Sequence, residues 1–252
     1  MISDPSDATA ADTAAANAFG WSKLVSATTI EDAIKGLVAG SAEVTRSPSG
    51  FKGGGNKQAR QHYSVAAMLF GVIAQYDGDV RWKKDAPGLR TLYARAAANC
   101  KVGTDNSYKE AKLRSDDLAE LVTGGKIELP KADAEAKWAD VVNRPPLMAR
   151  MGAEGYSQPL KAWTADRGEF SRNRAQLVKE AELVAVIARV IQDPSFEYGD
   201  DETYLEYARE LEQQAREIVE AVQADSFPRA QAAAGRLNQA CNTCHDGYRG
   251  GG

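Results

Sequence analysis

At 252 residues, the chain has length for one large domain or two ordinary ones. Its formal net charge of −4 and isoelectric point near 5.4 lack the basic surplus that a nucleic-acid partner asks for. Alanine leads the composition, with glutamate, arginine, leucine and lysine all well represented, alternating Val, Ile and Thr runs are absent, and no apolar run reaches the roughly eighteen residues of a membrane span. The composition therefore predicts an all-α chain without a membrane-spanning segment.

Residues 1–27 are rich in Ala, Thr, Asp and Ser and lack the basic start and apolar stretch of a secretory signal, so they read as a flexible N-terminal tail. Farther on, Gly53-Gly54-Gly55 has no lysine and hydroxyl after it, as a phosphate loop would, and reads as a flexible interhelical loop. His62, between Gln61 and Tyr63 near a helix start, reads as a solvated histidine. Leu89, Tyr93, Ala96 and Cys100 form a helical seam that makes Cys100 a small buried apolar residue.

The C-terminal half divides into helices with apolar or small residues alternating by four and three positions, the spacing of a bundle seam. A stretch from about Asn143 to Trp163 carries Met148 and Met151, with Pro145 and Pro146 at its start and Pro159 expected to kink or end it. After Arg172 the seam is Leu177, Ala181, Val184, Ala188 and Ile191, stopped by Asp193-Pro194. Asp201 is a good N-cap for the next helix, whose seam runs Tyr204, Ala208, Leu211, Ala215, Ile218 and Val222. Ser226 and Pro228 open the last, with Ala230, Ala234, Leu237, Cys241, Cys244 and Tyr248 on one face.

The N-terminal half repeats this plan. Val72–Trp82 aligns with Ala188–Tyr198 as a helix end, an aspartate turn and an aromatic, and Tyr93-Ala94-Arg95 aligns with Tyr207-Ala208-Arg209. Continued, the register sets Leu118 opposite Leu237 and Val122-Thr123-Gly124 near the position of the later cysteines. The expected layout is a tail (1–27), a first helical bundle without the cysteine motif (28–126), a linker (127–137) and a second bundle (138–252).

Cys241-Asn242-Thr243-Cys244-His245 is the strongest chemical signal. Three cysteines and two histidines scattered at random would make such a run in about three of ten thousand chains. A haem is tethered when two thiols add across its two vinyl groups. On a helix Cys241, Cys244 and His245 stand at i, i+3 and i+4, so both tethers and an axial nitrogen address one porphyrin face. A zinc site needs four donors, and only Cys100, His62 and His245 remain beside the pair. A redox dithiol belongs beside a βαβ pattern, and no strands are predicted.

These residues resemble the class II c-type cytochromes, which include cytochrome c′ and its low-spin relatives. The match is Cys241-Asn242-Thr243-Cys244-His245-Asp246-Gly247-Tyr248-Arg249, near the C-terminus of a four-helix bundle. The resemblance covers about residues 140–250 and implies two tandem four-helix bundles, the second carrying one covalently bound haem c. His245 would be an axial iron ligand. The family's first helix supplies the residue facing the open side of the iron, and Arg144–Gly152 looks like that segment, with Met148 in the position of the sixth ligand. Arg144 and Arg249 match positions near the haem and are candidate propionate partners, and Tyr248 is a packing residue against the haem or the bundle.

The resemblance implies a periplasmic electron carrier with His245/Met148 iron and no catalytic residue; thioether ligation favours the ferrous state. The alternative is a five-coordinate protein that binds nitric oxide or carbon monoxide, with Met148 away from the iron. A vestigial haem is a third reading, and turnover is the weakest because no distal acid or base shows. The redox partner protein is unspecified, and the two bundles are expected to pair internally or the chain to form a homodimer.

Overall fold

The computed structural model describes residues 19–133, 135–152 and 155–248. Among these, secondary structure is helical throughout, in two tandem four-helix arrangements. The first consists of α1 (Ala27–Val44), α2 (Asn56–Ala74), α3 (Ala86–Asn99) and α4 (Asp105–Thr123). Ser26 caps α1 by accepting from the Thr29 amide at 3.2 Å, and Ile30, Ile34, Leu37 and Ser41 face the core at helical spacing. Thr104 and Ser107 form a capping box on α4, which ends at Gly124 in the left-handed conformation (φ 96°).

In the second half the first helix is in two pieces, α5 (Arg144–Met151) and α6 (Ser157–Trp163), followed by α7 (Arg174–Val190), α8 (Glu202–Gln223) and α9 (Phe227–Tyr248). α6 packs against α7 and α9, and α8 packs between α7 and α9. α5 leaves its own bundle and lies on α2 of the N-terminal half. The expected single helix from Asn143 to Trp163 is thus corrected, and so is the role of its proline. Pro159 sits in the first turn of α6, where its missing N–H is harmless. The break falls at Gly152 and Gly155; a Cβ on Gly155 would lie 1.7 Å from the Arg150 carbonyl oxygen, a place only glycine fits. Pro145 and Pro146 occupy the first turn of α5, as their sequence position suggested.

Every seam residue named for α7 and α8 is buried. Two helices are buried on all sides for several turns, α2 from Tyr63 to Ile73 and α7 from Ala181 to Ala188. The cause is that each serves its own bundle on one face and the opposite half on another: α2 meets α5, and α7 meets α1. One hydrophobic core therefore runs through both bundles. Polar contacts stitch the same boundary: Ser26 Oγ donates to Glu182 Oε2 (3.1 Å), Arg60 to Asn143 Oδ1 (3.0 Å), and Lys179 pairs with Asp32. The chain after α4 meets α3, where Leu129 lies against Gly88 and the Asp133 carbonyl accepts from Arg90.

Three local expectations change. Residues 19–26, assigned to the flexible tail, are packed: Trp21, Leu24 and Val25 are buried, and the Ser22 amide and hydroxyl donate to Asp77. The remainder of that tail, residues 1–18, lies outside the described residues. Gly53–Gly55 form the end of a π-turn (Phe51–Gly55) running into α2, because Gly54 takes φ 135° and Gly55 approaches the Val44 carbonyl. His62 is largely buried, its ring under Gly40 of α1. Cys100 is buried as expected, and burial pushes its thiol up to about 12.

The repeat register has a structural counterpart. Trp82 (φ 64°) and Tyr198 (φ 66°) are both non-glycine residues in the left-handed region, at aligned positions in the two halves. Each turns its ring toward the end of its half's last helix. The Trp82 indole donates to the Leu121 carbonyl of α4 (3.3 Å), and Tyr198 meets Tyr248 of α9 edge-on at 5.1 Å.

Candidate functional site

The last two turns of α9 carry Cys241, Cys244 and His245 together. Leu237 and Ala240 are buried on the preceding turn, and the helix continues unbroken to Tyr248, so the cysteines keep the register of the seam. Both thiols are free and half-buried, and His245 is partly exposed beside them. Burial pushes the Cys241 thiol up to about 11 and raises Cys244 too, the latter opposed by the Arg144 guanidinium. Two thiols one turn apart on one helical face have the spacing that tethering to two vinyl groups of one porphyrin needs. Among the described residues no three or more His, Cys, Asp and Glu side chains gather as a metal site.

Around this end stands an aromatic wall that sequence reasoning named only in pieces. Tyr204, 3 % exposed, meets Tyr248 at 5.4 Å, Tyr198 meets Tyr204 at 5.9 Å, and Tyr207 meets Tyr248 at 6.3 Å. Tyr204 belongs to the α8 seam and Tyr198 to the repeat alignment, but periodicity within one helix cannot show that they converge on a third. Asp201 ties the cluster to the start of α8: its carboxylate accepts from the Tyr204 amide at 3.1 Å, which with the Tyr248 hydroxyl holds it below the usual range.

Arg144, at the start of α5, reaches into the same region. Its guanidinium lies 4.9 Å over Tyr198 and 5.4 Å over Tyr204, and it pairs with Glu197 at 2.9 Å. Arg144, Cys244, Tyr198, Tyr204 and Tyr248 thus form one cluster. Met148 is one turn further along α5, half-buried against the common core, while Met151 is buried. Arg249 lies outside the described residues.

This donor set suits a porphyrin: two free thiols and an imidazole on one helical face, an apolar aromatic wall, and a cation that a propionate could engage. Residues 141–249 match the family model described as Cytochrome C′. The C-terminal half is a class II c-type cytochrome unit. Its cofactor is covalently bound haem c with iron. No curated protein and no solved structure matches the chain. Among the described residues, no helix of this cytochrome or of the half before it is long and apolar enough to cross a membrane.

Proposed function

We propose that the chain is a monohaem electron carrier with low-spin iron held between His245 and Met148. Cys241 and Cys244 would hold the haem as thioethers, Tyr248 would pack beside it and Arg144 would engage a propionate; Arg249, the other propionate candidate, lies outside the described residues. The cofactor supplies a one-electron ferrous–ferric couple. His245 and Met148 would hold the iron in both oxidation states, so little would need to reorganise between the two. The observation that carries this reading is Arg144: its contacts with Tyr198 and Tyr204 bring the first turn of α5 to the cysteine end of α9, and Met148 follows one turn later. The fit with covalent haem attachment favours the periplasm and a protein redox partner.

A five-coordinate, gas-binding cytochrome is the second reading, favoured by one observation: α5 lies on α2, a seat that can hold Met148 away from the iron. The visible and near-infrared spectra of the haem-loaded protein separate the two. A low-spin spectrum with the weak sulfur-to-iron band, lost in Met148→Ala, supports the carrier. A high-spin native spectrum that shifts with carbon monoxide and ignores Met148→Ala assigns gas binding instead.

A further inference from the structure

Tyr198 stands at a strained place. It lies in the turn between α7 and α8 with φ 66°, a backbone conformation that a bulky side chain rarely adopts, although Gly199, a residue that takes it freely, is next in the chain. What the conformation sets is the direction of the ring, which meets one side chain from each of three helices: the Arg144 guanidinium of α5 at 4.9 Å, Tyr204 of α8 at 5.9 Å and Tyr248 of α9 at 5.1 Å. Tyr198 thus bridges the first turn of α5 and the last turn of the helix that carries the cysteine–histidine motif.

The aligned turn of the first half shows what is particular to this one. There Arg81 lies 4.6 Å over the Trp82 ring and donates to the Val122 carbonyl at the end of α4 (2.9 Å), so the aromatic's own chain neighbour supplies the cation and closes the helix. In the repeat register Arg81 aligns with Glu197. The carboxylate reverses the charge at that position, and the cation over the Tyr198 ring comes from a distant helix instead. Arg144 pairs with Glu197 at 2.9 Å, is only 17 % exposed, and its charge reaches the Cys244 thiol. Glu197 draws the guanidinium in, and the ring face fixes where it lies.

We infer that Tyr198 is a positioning residue of the haem site: its ring fixes the Arg144 guanidinium at the cysteine end of α9, and through that cation it raises the reduction potential of the haem. The ferrous form carries one positive charge fewer than the ferric, so a cation held nearby favours it, the more so the less water lies between. The inference rests on the reading that Arg144 faces the haem. It does not depend on Met148, so it holds for six-coordinate and for five-coordinate iron alike.

The test is a spectroscopic redox titration of the full, haem-loaded chain, with thermal unfolding measured beside it. Arg144→Gln is expected to move the ferrous–ferric equilibrium at least about threefold toward ferric, a fall of about 28 mV at 59 mV per tenfold. Tyr198→Gly takes φ 66° without strain but has no ring, and Tyr198→Asn also tolerates that backbone; each is expected to move the equilibrium at least about twofold the same way. Tyr198→Phe keeps the ring face and restores the native potential. In the Arg144→Gln background Tyr198→Gly adds nothing, because the ring then has no cation to hold. The inference is overturned if Arg144→Gln lowers the potential while Tyr198→Gly and Tyr198→Asn lower only the melting temperature, or if Tyr198→Gly lowers the potential equally with and without Arg144. A potential that ignores Arg144→Gln removes Arg144 from the haem, and both its propionate role and this inference fall.

Discussion

His62 enters the N-terminal bundle with its ring turned under α1, where burial first and the Arg150 charge second lower its pKa from 6.5 to about 4. The unfolded chain thus takes up a proton near pH 6.5 that the folded chain refuses until about pH 4. The His62 contribution to stability is complete above pH 6.5, declines as the pH falls, and is lost by about pH 4, a difference of about 3 kcal/mol. Urea unfolding at steps from pH 7 to 4 should show the native chain losing about that much more than His62→Gln; parallel curves would sink this account. The sequence around His62 offered no warning. Its burial depends on Gly40, on a separate helix, leaving space for the ring, and no pattern local to residue 62 encodes that. The cysteine–histidine run is the opposite case, because its spacing alone states which chemistry it serves, and the fold adds the aromatic wall.

At the level of the element, α5 is the part whose placement reaches furthest. It carries Arg144 to the cysteine end of α9, yet its body rests on α2, with Leu147 fully buried. Leu147→Ala should lower stability by about 2–5 kcal/mol and, on the carrier reading, raise the high-spin fraction by loosening Met148. Equal loss of stability with an unchanged spectrum would show that the iron's environment does not depend on this seat. The seams of α7 and α8 were legible because four-and-three spacing reports one buried face, whatever it faces. The split of α5 from α6 was not. A glycine inside a helical pattern is ordinarily tolerated, and only the close approach of Gly155 to the Arg150 carbonyl turns this one into a break.

For the whole molecule, a shared core means that the second bundle is not complete by itself. Removing residues 1–137 would bare the faces of α5 and α7 that now meet α2 and α1. We expect a haem-loaded fragment from Trp138 to self-associate and to melt at least about 5 °C below the full chain, by sedimentation and thermal unfolding. A monomeric fragment as stable as the whole chain would remove the idea that the first half serves as a built-in partner. We propose that the halves descend from one duplicated bundle; the aligned left-handed Trp82 and Tyr198 support it, as do the buried Leu118 and Leu237. The counterpart of the α9 motif cannot exist in α4 as it stands. That helix stops at Thr123, its Leu121 and Val122 carbonyls accept from the Arg81 guanidinium, and the Trp82 indole also bonds the Leu121 carbonyl. Two cysteines and a histidine introduced there would fall at and beyond the end of the helix, against side chains that already fill its end. On an evolutionary path, gaining a second haem would need a longer helix, a cleared flank and the motif all at once, with no single step useful alone. The seal on α4 works as a ratchet: it holds that helix end closed to the motif, whether the first half once carried it or never did.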